Sequence, residues 1–328
     1  MRKIVIPIIC VFLLLSIFVL EIFTKKTDNK NLEKLKVAEV THSIFYTPMY
    51  IADALGYFEE EGLDVEIILT SGANNVAAAV MSKDVQIGFC GSEQTLYIYN
   101  EGAKDYLVNF AGMTKRDGSF LVSRKPIENF DIKKLEGVIL GGRQGGMPAM
   151  TLNYTLHENG VTSLKVDTSV DFASLSGAFI SGQGDFVTLF EPNALNLEKE
   201  GFGYVVASIG ELGGEVPYTS FNALKSYIEE NPKTIEKFTR AIQKGLDYTF
   251  EHSPQELSKL LVNYFPDITL NDIEETVERY KKSDSWYKTT YITETGYNHM
   301  QEIVDYNGFL TKRVDYSILV DNTYNHEK

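Results

Sequence analysis

Residues 139–150 combine the types and spacing best suited to hold a ligand. An apolar strand ends in a glycine cluster, Gly141, Gly142, Gly145 and Gly146. Arg143 and Gln144 lie inside it, and Met147-Pro148 leads into an amphipathic helix over 150–157. Glycine admits positive φ and lets a ligand approach the backbone amides. A helix N-terminus adds unpaired N–H groups and the positive end of a dipole. Together these suit an anionic or strongly hydrogen-bonding group. A tight strand-to-helix turn without a ligand uses the same residues. The order is neither G-x-G-x-x-G nor a P-loop, so dinucleotide and nucleotide-phosphate readings fail.

Other chemistry-bearing residues sit in loops that follow strand-like segments. His42, Phe45 and Tyr46 form one such loop, with aromatic faces able to stack on a flat ring. Ser71 and Asn74 form a second, where either could instead cap a helix. Ser92 and Glu93 form a third, with Glu93 also explicable by the helix dipole. Arg143 could clamp a carboxylate, sulfonate or phosphate through two parallel hydrogen bonds. Glu191, between an apolar strand and Pro192, suits a ligand amine or aminopyrimidine edge; a salt bridge across the molecule is the competing role. Trp286, the only tryptophan, reads as packing. The 2 cysteines and 5 histidines have no zinc-type spacing, so neither a metal nor a disulfide framework is expected.

These loops need a scaffold that points strand ends at one another. Strand patterns at 35–40, 63–69, 85–90 and 107–111 alternate with helical ones, as in parallel βαβ units. The first series closes with an extended segment at 119–123, and a second series follows, with strands at 137–140, 165–166 and 186–190, and helices at 150–157 and 174–181. An extended stretch covers 217–224, and helical patterns run from 227 onward. The length of 328 residues accommodates two α/β lobes. A net charge of -14 opposes nucleic acid and anionic lipid as partners of the body. Ahead of it, Arg2 and Lys3 precede a largely apolar run over 4–23, long enough for an export signal or a spanning helix. Without a small-residue cleavage site, an uncleaved anchor is favoured, followed by a polar linker.

The text resembles the ABC-transporter substrate-binding proteins of the sulfonate/nitrate/taurine and thiamine-precursor class. Tyr50-Ile51-Ala52, the block Gly56-Tyr57-Phe58-Glu59-Glu60-Glu61-Gly62-Leu63-Asp64-Val65, and Ile87-Gly88 through Ser92 carry the resemblance. So do Leu135 to Gly142, Phe190-Glu191-Pro192, and Tyr227 to Gly245 with its Asn231-Pro232. The resemblance implies a two-lobe periplasmic-binding-protein-like type II fold, α/β, with two crossovers and ligand in the inter-lobe cleft. It implies a signal or anchor over 1–23, a linker over 24–35, lobe 1 over 36–121 and 219–328, and lobe 2 over 122–218. It also draws Tyr218, at the second crossover, into the site. The expected protein is a monomeric, non-catalytic, extracytoplasmic solute carrier without a cofactor, working with an ABC permease in the membrane. Its ligand leans to a nitrogen heterocycle such as a thiamine precursor, with a sulfonate, taurine or nitrate as the alternative. A pyrimidine-synthase branch of the family is disfavoured: Phe89 to Leu96 contains no Lys and no His, and no cysteine-rich run occurs.

Overall fold

The computed structural model describes residues 32–142 and 145–325. The apolar run over 1–23 lies outside the described residues, as do Arg143 and Gln144. No helix among the described residues is long and apolar enough to cross a membrane. Lys34–Lys328 forms one compact unit.

The first series runs β1 (Glu33–Glu39), a 3-10 turn (Ile44–Tyr46), α1 (Thr47–Ala54), α2 (Tyr57–Glu60), β2 (Leu63–Leu69), α3 (Ala73–Met81), β3 (Ile87–Cys90), α4 (Glu93–Asn100) and β4 (Leu107–Thr114). The second runs β5 (Ser119–Ser123), β6 (Gly137–Leu140), α5 (Met147–Glu158), β7 (Leu164–Asp167), α6 (Leu175–Ile180), β8 (Phe186–Phe190), α7 (Asn193–Lys199), β9 (Tyr204–Ser208) and α8 (Ile209–Gly213). The chain then returns through β10 (Thr219–Leu224) to α9 (Lys225–Glu230), α10 (Pro232–Glu251), α11 (Pro254–Leu261), α12 (Leu270–Lys282), α13 (Glu294–Tyr306) and α14 (Tyr316–Leu319).

Two five-stranded sheets result, ordered β2-β1-β3-β10-β4 and β7-β6-β8-β5-β9. Each takes its fourth strand from a crossover. β10 pairs antiparallel with β3 and β4, and β5 pairs antiparallel with β8 and β9. Both inserted strands are buried along their whole length, and they bury Ser119, Ser123, Thr219, Ser220 and Asn222 along with their apolar residues. This exchange of one strand per sheet is the two-lobe, two-crossover α/β architecture expected from the sequence. One apolar cluster runs from Phe45 and Met49 through Phe120 and Leu140 to Val187, spanning both sheets.

The structure departs from the sequence reading in four places. The linker ends early, because Glu33 to Leu35 already belong to β1 and Leu35 is buried. Ser119, Phe120 and Leu121, placed with lobe 1, lie in β5 at the heart of the second sheet, so the crossover is residues 115–118. Helix α5 starts at Met147, with Pro148 in its first turn, where a missing N–H costs nothing. Strand β9 has no counterpart among the sequence patterns; it is a half-exposed edge strand without a clean alternating pattern.

Helix α10 packs on α1 at Gly245, where a Cβ would come within 2.2 Å of the Pro48 carbonyl oxygen. Backbone cannot yield there as a side-chain tip could. Gly245→Ala is expected to cost roughly 1–3 kcal/mol through overpacking, read as a lower urea midpoint. An unchanged midpoint would mean that the two helices separate freely.

Candidate functional site

The two crossovers are zipped together where the sheets meet. Val216 N–H donates to the Lys115 carbonyl at 3.0 Å, and Tyr218 N–H to that of Thr114 at 3.0 Å. The segment after α12 braces them: Lys115 N–H donates to Ser285 O at 2.9 Å, and Trp286 Nε1 donates to Phe45 O at 2.7 Å. Trp286 therefore packs, as expected, and also fixes the turn that carries Phe45. Ser92 Oγ donates to Pro217 O at 2.5 Å and ties the β3 loop to the second crossover.

Aromatic rings from both lobes converge on this point. Phe45 lies 5.7 Å from Phe190, 6.2 Å from Tyr218 and 4.9 Å from Tyr280, centroid to centroid. Phe190 and Tyr218 are 6.3 Å apart. A Cβ on Gly118 would sit 2.7 Å from the Phe45 ring and 2.8 Å from that of Phe190, so only glycine lets the first crossover pass between them.

Three carboxylates are buried around these rings, and each is satisfied differently. Asp117 accepts from Ser119 N–H at 2.7 Å and from the Thr151 hydroxyl. Glu191 accepts from Arg279 Nη1 at 2.6 Å and from Leu195 N–H at 2.8 Å, while its own N–H donates to Tyr280 Oη at 3.1 Å. Arg279 also holds Glu198 at 2.6 Å. Of the two roles open to Glu191 in the sequence, this is the salt bridge. Glu93 is 2% exposed; its Oε1 accepts from Gln94 Nε2 at 3.1 Å, and its Oε2 has no partner. Its carboxylate folds back over Gly91, where a Cβ would lie 2.1 Å from Oε2.

Burial raises all three acids above the usual carboxylate range, Glu93 to about 6 with Gln94 opposing. For Asp117 the donors Ser119 and Thr151 oppose burial, and for Glu191 the Arg279 charge does, in each case without cancelling it. Tyr218, buried beside Asp117, is pushed well above the normal phenol range.

The structure gathers Phe45, Tyr46, Ser92, Glu93, Glu191 and Tyr218 at the crossovers. Met147 is buried in the same apolar cluster, at the start of α5. Tyr97, one helical turn beyond Glu93, reaches the Met150 sulfur of α5 at 3.9 Å, so that face of α4 looks across to the second lobe. Gly145 and Gly146 precede α5, which no side chain caps, and Phe309 stands over Gly145.

His42, Ser71 and Asn74 lie elsewhere. His42 stacks on Phe265 at 4.6 Å and bonds Glu39 at 2.9 Å and the Tyr264 carbonyl at 2.8 Å, tying β1 to the end of α11. Ser71 and Asn74 are exposed beyond the edge strand β2, and neither side chain caps α3. Asp117, Arg279 and Tyr280 escaped sequence reasoning. Asp117 carries a weak signal, an acid next to glycine between two strands. Arg279 and Tyr280 carry none, being about 88 residues from their partner Glu191.

The sheet exchange defines a two-lobe, two-crossover α/β fold of the periplasmic-binding type, with the candidate site at the junction of the sheets. Residues 44–256 match the family described as NMT1/THI5 like, and the chain belongs to that family. It is 42% identical over 310 residues to YtlA of Bacillus subtilis (strain 168), a protein named for binding without a stated ligand, with 93% of each chain covered. It is 25% identical over 297 residues to the 4-amino-5-hydroxymethyl-2-methylpyrimidine phosphate synthase of Candida albicans (strain WO-1), covering 85% of this chain and 81% of that one. Among solved structures, the periplasmic aliphatic sulphonate binding protein SsuA of Escherichia coli superposes with a TM-score of 0.67 at 16% identity, covering 88% of this chain and 97% of that one.

Two measurements probe the site. Folding favours protonated Glu93, so its stabilising contribution is complete below the ordinary glutamate range and is lost as pH rises through about 6. Glu93→Gln should therefore stabilise the protein by roughly 2 kcal/mol near pH 8 and hardly at all near pH 4; urea unfolding at both values checks this. A pH-independent effect would remove the titration from Glu93. Arg279→Met leaves Glu191 charged and buried and should cost roughly 3–5 kcal/mol. Adding Glu191→Gln should recover part of that loss, and no recovery would show that Arg279 acts through packing alone.

Proposed function

We propose that this chain is the extracytoplasmic solute-binding component of an ABC importer, held at or exported across the membrane by residues 1–23. Its ligand is a small molecule with a flat, nitrogen-containing ring, of the thiamine-precursor kind. One observation carries the ligand reading: Phe45, Phe190 and Tyr218 meet at the crossovers among buried carboxylates. Ring faces stack on planar ligands, and carboxylates accept from ring or exocyclic N–H groups while repelling a bare anion. Glu191 is committed to Arg279, which leaves Glu93 as the carboxylate with an open oxygen.

Membership of the NMT1/THI5-like family and the 42% identity to a protein named for binding support a binder. The synthase relative is more distant, and residues 89–96 contain neither Lys nor His. The sulphonate-binding neighbour, together with the uncapped glycine-led start of α5, keeps a sulfonate as the second reading.

Mass spectrometry of compounds released from the denatured protein, with a thermal-shift screen of thiamine precursors, flavins, taurine and nitrate, tests the assignment. Stabilisation by ring compounds without turnover is expected; turnover of a bound compound would overturn the carrier reading. Among the described residues the crossovers are the only covalent links between the sheets, so binding should proceed by hinge closure. Small-angle scattering should show a smaller radius of gyration with a stabilising compound than without it. Equal radii, both larger than the radius calculated from this structure, would exclude closure.

A further inference from the structure

Resting on the inter-lobe site just proposed, we infer that it takes its ligand as a cation, with a positively charged N–H group seated on Glu93 Oε2. That oxygen is buried without a hydrogen-bond partner, in a residue 2% exposed. A buried carboxylate oxygen left unpaired is costly, and one at the junction of the lobes is explained by a group that arrives from outside. The Tyr218 hydroxyl is engaged by Asp117. Glu93 can only accept when ionised, so the visitor must be a donor.

The charge follows from the surroundings. Glu93 faces Cys90 at the end of β3, Tyr97 on its own helix, Tyr46 from the first loop and Tyr218 from the second crossover. Asp117 lies on the far side of Tyr218. None of these groups is a cation. The described cations around the junction are engaged elsewhere: Lys115 and Arg116 with Asp284 at 2.6 and 3.3 Å, and Arg279 with Glu191 and Glu198 at 2.6 Å each. Neutral N–H donors would satisfy the oxygen atom but leave the carboxylate charge buried and uncompensated. A protonated amine, amidine or cationic ring answers both needs. Glu93, raised to about 6, supplies the charge at neutral pH and loses it in mild acid.

The probes are benzamidine and benzamide, flat rings of the same shape that differ in charge. Ligand-observed NMR titration of the full-length protein in detergent near pH 8 should give benzamidine at least about tenfold the affinity of benzamide. The preference should shrink near pH 5. Glu93→Gln should abolish it near pH 8, and Glu229→Gln on the exposed face of α9 should leave it unchanged. Equal affinities, a benzamide preference, a benzamidine preference that survives Glu93→Gln, or no response to either probe at the highest soluble concentration would each overturn the cation. If benzamide alone binds, or both bind equally, the ring reading survives. If taurine or nitrate stabilises the protein while both rings fail, the ring reading falls as well.

Discussion

Everything at the centre of this protein depends on two backbone hydrogen bonds, Tyr218 N–H to Thr114 O and Val216 N–H to Lys115 O. They hold the crossovers side by side at the point where each sheet receives a strand from the other lobe. Once the crossovers are paired, Asp117 and Tyr218 face each other, and Ser92 finds the Pro217 carbonyl. The Phe45 turn, fixed by Trp286, then fills the angle between the sheets. The ends of β3 and β8 open onto the same point, where open α/β sheets bind ligands.

Burial sets the chemistry of that point. Three carboxylates lie within it, and a buried charge must be paired, neutralised or otherwise compensated. Asp117 is satisfied by donors from its own turn and from α5. Glu191 is satisfied by an arginine drawn from a distant helix. Glu93 is only half satisfied, with its free oxygen bent over Gly91, where a side chain would collide with it. The first two fix geometry, and the third is the exception.

Much of this fold is legible in the sequence. Strands β5, β6 and β8 stand where their apolar runs end against turn residues, and edge strand β2 where Leu63, Val65 and Ile67 alternate with Asp64 and Glu66. Edge strand β9 was invisible, since a half-exposed strand shares its composition with loops. Helix α5 begins three residues before the pattern at 150–157, with Pro148 in its first turn. For the candidate site, the loops after strands bring Phe45, Tyr46, Ser92, Glu93 and Tyr218 together. His42 could not be told apart from them, since a histidine beside aromatics serves equally well in a clamp within one lobe. Arg279 and Tyr280 reach the junction only through packing of α12, and no local pattern records that.

The second lobe is joined to the C-terminal helices along two seams of different character. On one flank, Lys199 of α7 meets Asp272 and Glu275 of α12, alongside the Arg279 pairs. On the other, α5 meets α13 through the stacked rings of His157 and Tyr306, 4.4 Å apart, Tyr154 against His299, and the amide pair Asn153–Asn307. Dissolved ions screen partly exposed charges, and ring contacts are indifferent to them. High ionic strength therefore weakens the charged flank while leaving the aromatic one in place.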